Sequence, residues 1–263
     1  MKEGVKIYGS FDDGETTLAS RTITLPLTND PAVNTVLNGQ GNKRVIINDN
    51  NGLSAAAVLD GFVVTGGSGD RGGSSGGGIY NQNASPTLRN LTISGNRVNY
   101  YGGGGGMYNN SSSPNIRNSI IMGNTEYLNN TSSEIHNDNS TPNIQYSLVQ
   151  GMAVDAANHN LDGTSVTATN VFVNPAAASS APTPTGDYRL ITSSPAINAG
   201  SNSLYEAADG NSTNNSINND SDLGGLKRLH NSTIDMGPYE QGSTPLAITL
   251  GSFNATWLAT AFW

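Results

Sequence analysis

Residues 76–81 read GGGIYN, and residues 104–109 repeat them as GGGMYN. A second motif follows each copy: residues 85–90 read SPTLRN, residues 113–118 read SPNIRN, and residues 141–146 read TPNIQY. Self-similarity at a fixed period is the signature of a repeat architecture. The chain is therefore expected to build its fold from copies of one unit.

The repeat keeps a constant length through the middle of the chain. Pro86, Pro114 and Pro142 lie 28 residues apart, and we expect stacked copies to bring the three prolines into a single file. Upstream, residues 59–66 (LDGFVVTG) match residues 88–95 (LRNLTISG) at an offset of 29. The repeat therefore begins before the first GGGIYN motif.

Apolar side chains alternate with polar ones inside each copy. Leu91 and Ile93 flank Thr92, for example, which is the period of a β-strand. A helical reading fails because no ten-residue stretch of the repeat is free of helix-breaking residues. Short strands joined by Gly, Asn and Pro corners thus form a unit that recurs with a period of roughly 22 to 29 residues. This pattern predicts an all-β fold: a single-stranded parallel β-helix, or β-solenoid, with a less regular C-terminal β segment.

Stacked coils place each residue next to its equivalent one coil later, about 4.8 Å away. Asn90 should therefore lie near Asn118, and Asn96 near Asn124. We predict that both pairs form amide ladders along the solenoid axis. Corner residues are expected to take left-handed backbone angles, which Gly and Asn tolerate best.

One column of the repeat has the character of a binding surface. Tyr80, Tyr108 and His136 each follow an apolar residue, so strand alternation turns them outward. Tyr100 and Tyr101 lie in the adjoining loop. Outward rings one coil apart, flanked by Asn and Ser, predict a surface that stacks on sugar rings and bonds their hydroxyls. The alternative is a ladder that stacks on itself and shields the strands.

Composition excludes several classes of protein. The 263 residues include no Cys, which removes disulfide scaffolds and Cys-ligated metals. With 12 Lys and Arg against 20 Asp and Glu, nucleic acid and anionic membrane surfaces are not expected partners. No apolar run approaches the roughly 20 residues of a transmembrane helix.

The repeats lack the carboxylate clusters of polysaccharide-cleaving enzymes. Such sites need an acid–base pair, or several Ca²⁺-binding acids, on neighbouring coils. Residues 72–124 contain no Asp or Glu, and the next coil offers only Glu126, Glu134 and Asp138. The sequence therefore predicts a protein without catalytic residues. A polysaccharide lyase or glycoside hydrolase on the same fold is the alternative.

One acidic group is a candidate for Ca²⁺ binding. Asp209, Asp220 and Asp222 surround the Asn-rich stretch 211–219, and Ca²⁺ prefers carboxylate and amide oxygens. The spacing is not that of an EF-hand. A flexible polar loop without metal is the alternative, and we predict no other cofactor.

The repeat motifs resemble those of a known group of proteins. Residues 5–16, VKIYGSFDDGET, are similar to an opening coil of that group. Together with the GGGIYN and SPTLRN motifs, they resemble the parallel β-helices of large bacterial surface proteins, the pectate-lyase-like and polymorphic outer-membrane-protein-like families. The resemblance implies a right-handed β-helix over residues 1–175.

The C-terminal part resembles an anchoring segment that follows such helices. Residues 187–190 (DYRL), 194–200 (SPAINAG) and 234–240 (IDMGPYE) are similar to the choice-of-anchor Q segment, although Pro238 replaces the small residue usual there. Residues 245–263, which include PLAITL (245–250) and SFNA (252–255), resemble the start of the C-terminal region in cargo of the Bacteroidetes type IX secretion pathway.

This second resemblance completes the predicted organisation. It implies an anchor-like segment over residues 176–242 and the start of a sorting tail, expected to be truncated, over residues 243–263. Asp222, Asp235 and Glu240 match acidic positions of the anchor pattern, for which a structural role is expected.

The resemblances imply a secreted or cell-surface protein, and Met1 and Trp263 are then expected to bound a fragment. The function expected first is a non-catalytic structural or adhesive module that contacts extracellular polysaccharide or the cell envelope through its aromatic column. A self-assembling fibre subunit is a further alternative, because β-solenoid ends expose unpaired strands that can associate end to end.

Overall fold

The fold is seen in a computed structural model of the chain. In the part that the model describes, almost all regular structure is β, with one α-helix of five residues. The predicted all-β fold is confirmed. The described residues are 1–9, 36–69, 75–98, 102–127, 133–206, 217, 220 and 222–242.

The strands are short because Gly, Asn and Pro corners interrupt them every few residues. Two 3₁₀ turns, Ala168–Asn170 and Ala178–Ser180, and the helix α1, Asn202–Glu206, follow the repeats. The strands are β1 (Lys6–Tyr8), β2 (Val36–Asn38), β3 (Ile46–Asp49), β4 (Val58–Asp60), β5 (Val63–Thr65), β6 (Ile79–Gln82), β7 (Thr87–Arg89), β8 (Thr92–Ile93), β9 (Arg97–Val98), β10 (Met107–Asn110), β11 (Asn115–Arg117), β12 (Ile120–Ile121), β13 (Thr125–Glu126), β14 (Ile135–Asp138), β15 (Asn143–Gln145), β16 (Leu148–Val149), β17 (Phe172–Asn174) and β18 (Asp187–Leu190).

Three parallel sheets run along the axis of the molecule. Sheet I has the order β1-β4-β7-β11-β15, sheet II the order β2-β5-β8-β12-β16, and sheet III the order β3-β6-β10-β14. Strands β9 and β13 form a small fourth parallel pair. Each turn of the chain adds one strand to each main sheet, so the protein is a parallel β-solenoid of about four turns.

The register of the sheets follows the sequence repeat. In sheet I, the N–H of Asn115 donates to the carbonyl of Pro86 over 3.0 Å, and the N–H of Asn143 donates to that of Pro114 over 3.0 Å. The repeated prolines therefore stack in one file, as predicted. One earlier coil is longer than predicted: Asn48 and Asn81 are equivalent but 33 residues apart.

Each coil has several left-handed corners, and each corner recurs at the equivalent position of neighbouring coils. The corner between sheets I and II has φ values of 51° at Asn90 and 48° at Asn118. Glycine, which has no side chain, and asparagine, which has a short polar one, adopt this backbone region with the least strain. The corner prediction is therefore confirmed. Equivalent left-handed positions are Gly61 and Tyr146 at this corner, Asn50, Asn83, Ser111 and Asn139 after sheet III, and Gly66, Gly95, Gly123 and Gly151 after sheet II.

The interior is a narrow apolar strip to which all three sheets contribute. Its residues come from the inward positions of successive coils, so equivalent side chains pack on one another along the axis. The fully buried members include Leu59, Val64, Ile79, Leu88, Leu91, Ile93, Met107, Ile116 and Ile121.

The outward side of sheet II is also buried, because the C-terminal segment packs on it. Val63, Ile120 and Leu148 point away from the interior and contact a second apolar cluster that includes Phe172 and Met236. Both sides of this sheet are therefore removed from water. Other members of the cluster are Met122, Val171, Tyr188, Leu190, Ala196, Leu223 and Tyr239.

The transition from solenoid to C-terminal segment is gradual. The last parallel strand, β16, ends at Val149, and β17 pairs antiparallel with β18 across residue 175, the predicted boundary. Residues 243–263, the predicted sorting tail, lie outside the described residues.

Candidate functional site: an aromatic column on sheet III

The outward side of sheet III carries a continuous stack of rings. Tyr80, Tyr108 and His136 occupy equivalent positions of β6, β10 and β14. The ring centroids of Tyr80 and Tyr108 are 5.7 Å apart, and those of Tyr108 and His136 are 5.4 Å apart, with 6° between the planes in both pairs. We call these three residues the aromatic column.

Most ring faces in the aromatic column are already occupied. The guanidinium of Arg44 lies 4.2 Å from the centroid of the Tyr80 ring, and Tyr108 is sandwiched between its two neighbours. Burial raises the pKa of the Tyr80 hydroxyl, more than the Arg44 charge lowers it. A sugar can therefore reach Tyr80 and Tyr108 only at their edges and hydroxyls, not by the face-to-face stacking that the sequence suggested.

A polar column runs beside the aromatic column on the same side of the sheet. Asp49, Gln82, Asn110 and Asp138 occupy its four positions. The Tyr80 hydroxyl donates a hydrogen bond to Gln82 Oε1. We call these four residues the polar column; with the ring edges they present hydroxyl, amide and carboxylate groups along one surface.

A glycine makes room for the end of the aromatic column. A Cβ atom on Gly103 would lie 2.3 Å from Cγ of His136, closer than real Cβ contacts allow. The backbone of the glycine run 102–106 thus passes directly against the imidazole. Tyr100 and Tyr101, the loop residues predicted to join this surface, lie outside the described residues.

Directly behind this surface is an amide ladder that the sequence analysis missed. The Asn48 side chain donates to Oδ1 of Asn81 over 2.8 Å, and Asn81 donates to Asn109 over 2.9 Å. Asn109 in turn donates to Asn137 over 2.8 Å. We call these four residues the core ladder. The sequence does indicate this ladder, because the alternation that turns Tyr outward in GGGIYN turns the following Asn inward.

One of the two predicted ladders is present. Asn96 Nδ2 donates to Oδ1 of Asn124 over 2.9 Å. The third coil has no Asn at this position, and the Glu134 carboxylate accepts from both the backbone and the side chain of Asn124 instead. This carboxylate ends the ladder.

The other predicted ladder is not formed, because Asn90 and Asn118 bond to different partners. Asn90 Nδ2 donates to Asp60 Oδ1 over 2.6 Å. Asn118 exchanges two hydrogen bonds with the backbone of Ser201, at 3.1 and 2.8 Å. Both residues sit at left-handed corners, and the Asn118 side chain reaches Ser201, the residue before α1.

Two buried ion pairs lie where the solenoid meets the C-terminal segment, one in each part. Arg89 lies 2.9 Å from Asp60, and Arg228 lies 2.9 Å from Glu240, with all four side chains almost fully buried. Arg228 also donates to Oδ1 of Asn90 over 3.2 Å, which links the two pairs. The second resemblance marked Glu240 as structural, and its position in this network agrees.

Of the candidate Ca²⁺ residues, the structure describes Asp220 and Asp222, and both accept hydrogen bonds from protein groups. Asp222 is buried and accepts hydrogen bonds from the N–H groups of Gly224, Leu226 and Glu240. Asp220 is buried and accepts from the Tyr205 hydroxyl. Among the described residues, no group of three His, Asp or Glu side chains is arranged to hold a metal ion.

Asp209 lies outside the described residues, so the complete Ca²⁺ site stays a prediction. Burial raises the pKa of Asp222 to about 7 and that of Glu240 to about 9; hydrogen bonds to backbone N–H groups and the Arg228 charge oppose the shift. Burial also raises the pKa of Asp235. Burial removes these carboxyl groups from water, which penalises the charged form and favours their neutral forms.

Comparison with known proteins adds no functional assignment. No family model matches the chain, and neither does any curated protein or solved structure. The resemblances to surface β-helices and to an anchoring segment therefore rest on the quoted motifs alone. Within the described ranges, no helix has the length and apolarity needed to cross a membrane.

Proposed function

We propose that this protein is a non-catalytic structural and adhesive module that contacts carbohydrate through the outward side of sheet III. The observation that carries the proposal is the parallel run of the aromatic and polar columns on one exposed surface. Phenol edges beside amides and carboxylates offer both apolar contact and hydrogen bonds to a polyhydroxylated polymer.

The geometry favours a polymer over a small ligand. A polar side chain recurs on each of four successive strands of sheet III, and a ring on three of them, about 4.8 Å apart, so a chain with regularly repeated hydroxyls meets a hydrogen-bonding group at each coil. The core ladder and the stacked rings hold these groups in place before binding, so little conformational entropy is lost on contact. Many weak contacts along the axis then add up.

Placement at the cell surface or outside the cell is part of the proposal. It is supported by the motif resemblance to bacterial surface β-helices and to choice-of-anchor segments. The related proposal that the C-terminal tail directs type IX secretion is supported by residues 245–263 alone.

Retention on insoluble polysaccharides tests the binding proposal. Tyr108→Phe removes one central hydroxyl and keeps the stacked ring, so it should lower retention several-fold without changing the fold. Tyr127→Phe is the matched control, because Tyr127 is 45% exposed and lies outside the aromatic column. Binding that is absent for the wild type, or equal for both variants, would contradict the proposed surface.

Product release tests the non-catalytic part. Wild-type protein incubated with pectins, alginates and xylans, with and without Ca²⁺, should release no reducing sugar or unsaturated product. Turnover that disappears in a Glu126→Gln or Asp138→Asn variant would overturn this part and favour a polysaccharide-cleaving enzyme.

A further inference from the structure

The last strand of sheet III has a free edge. On the side of β10, the β14 backbone accepts hydrogen bonds at Glu134 and Asp138, from the N–H groups of Met107 (2.8 Å) and Ser111 (3.0 Å). Parallel strands direct successive backbone groups to alternate sides, so the N–H groups of Ile135 and Asn137 face away from β10. Within the described ranges no acceptor lies opposite them.

The same end of the other two sheets is closed by the chain itself. Leu161 N–H donates to the carbonyl of Ser147 over 3.0 Å, beside β16. Asn160 Nδ2 donates to the carbonyl of Ile144, in β15, over 2.8 Å. In the described structure the solenoid is therefore open at sheet III and covered at sheets I and II.

Side chains at the open edge lack the neighbours that their equivalents have. Asn109 is fully buried and both accepts and donates in the core ladder, whereas Asn137 is exposed and only accepts. Its Nδ2 donor has no acceptor among the described residues. Ile135 is likewise partly exposed, although Met107 is completely buried. The edge thus presents an apolar position, an amide donor and two backbone N–H groups.

Charge distinguishes the occupants that this edge can accept. The fourth position of sheet III is a neutral amide in the inner strands, Gln82 and Asn110, but a carboxylate in the two outer strands, Asp49 and Asp138. A second copy docking through β3 in the same register would place Asp49 directly opposite Asp138. Like charges opposite each other in a sheet are destabilising, and edge charges commonly prevent such pairing.

We propose that the edge of β14 receives a parallel strand from a different protein, with an apolar residue opposite Ile135, a side-chain carbonyl opposite Asn137 and a cation opposite Asp138. Backbone pairing supplies the affinity in such strand addition, and the alternate side chains supply selectivity. The proposal shares Asp138 with the carbohydrate surface, but the backbone N–H groups, Ile135 and Asn137 belong to the strand edge and not to that surface.

Peptides copied from the neighbouring coil test this assignment. A capped peptide GGGMYNKS, which is residues 104–111 with Lys in place of Asn110, should shift the backbone amide signals of Ile135 and Asn137 in the ¹⁵N-labelled full chain. The same peptide with Asp at that position should need at least several-fold higher concentration. Replacing the peptide Asn by Ala should weaken binding of the Lys peptide.

A charge reversal gives the decisive control. Asp138→Lys should invert the preference, so that the Asp peptide binds better than the Lys peptide. Asp49→Lys makes the same net charge change at the opposite end of the polar column and should leave the preference unchanged. Absence of shifts at Ile135 and Asn137, or equal responses to both peptides, would overturn the proposal.

Self-association is the remaining outcome. In sedimentation velocity, the wild-type chain should form no concentration-dependent dimer through this edge. A dimer through the edge would be recognised by its loss in the Ile135→Lys variant. Such a dimer would assign the edge to a second copy and overturn the choice of partner.

Discussion

The side-chain amide of Asn81 donates a hydrogen bond of 2.9 Å to Oδ1 of Asn109, and both residues are completely buried. This bond ties two coils together inside the core, immediately behind the ring stack of Tyr80 and Tyr108. Shifting either strand by one residue would bury a tyrosine and expose the asparagine. The core ladder therefore helps to fix the register that aligns the surface columns.

Asn109→Ala should destabilise the protein strongly. The change removes both ladder bonds of this residue and leaves the Asn81 donor buried without a partner, at a cost of about 2–4 kcal/mol in the free energy of unfolding. Urea unfolding followed by circular dichroism measures it. Asn110→Ala, at the neighbouring outward position, should cost less than about 1 kcal/mol; equal losses would contradict a structural role for the ladder.

Substitutions at Ser111 should change stability in opposite directions. Ser111 has φ = 49° at a corner where the equivalent residues are Asn50, Asn83 and Asn139. Ser111→Asn should stabilise by about 0.5–1 kcal/mol, since Asn tolerates this backbone region better. Ser111→Thr adds a β-branch there and should destabilise by about 1 kcal/mol. Thermal unfolding of both variants provides the measurement, and shifts of the same sign would refute the argument.

Arg228→Met should loosen the C-terminal segment from the solenoid. Removing the guanidinium takes away the Glu240 partner and the hydrogen bonds that Arg228 donates to Asn90 and to the Asp235 carbonyl, at a cost of about 1–3 kcal/mol for the buried polar groups left unpaired. Hydrogen exchange should accelerate across residues 222–242. Arg189→Met is the matched control: Arg189 pairs with Asp187 at a more exposed position, where a pair is worth about 1 kcal/mol or less.

Stability should fall as pH rises from about 4 to about 7. Burial raises the pKa of Asp222 from 3.8 to about 7 in the folded protein, so the folded state holds this proton more tightly than the unfolded chain does. Its stabilising effect is complete below pH 4 and is lost by about pH 7, with a slope of at most about 1.4 kcal/mol per pH unit.

Asp222→Asn tests the origin of that slope. The amide cannot titrate, so the slope between pH 4 and 7 should become shallower, while the part due to Glu240, whose pKa is raised to about 9, remains. Overall stability falls because an amide N–H then faces the Glu240 N–H. Asp138→Asn, at an exposed position, should keep the wild-type slope. An unchanged slope in the Asp222 variant would assign the dependence to the other buried acids, Asp235 and Glu240.

The sequence alone determined the solenoid and much of its outward surface. Similar motifs 28 residues apart can bury their apolar side chains only by stacking on one another, because each coil buries too little apolar surface to fold alone. The same periodicity predicted the file of prolines, the left-handed corners and the alignment of Tyr80, Tyr108 and His136. Strand alternation then assigned each of these rings to the outside.

The tertiary structure decided what the repeat does not encode. Asn90 and Asn118 recur like Asn96 and Asn124, but Asn118 bonds to Ser201, which lies outside the repeats. Asn90 bonds to Asp60, whose equivalents in the next two coils are arginines. Packing of the C-terminal segment on sheet II, the link from Arg228 to Asn90 and the covering of sheets I and II beside the open β14 edge likewise depend on segments outside the repeats. Periodicity reports only which residues are equivalent, so partners without an equivalent are visible only in the folded chain.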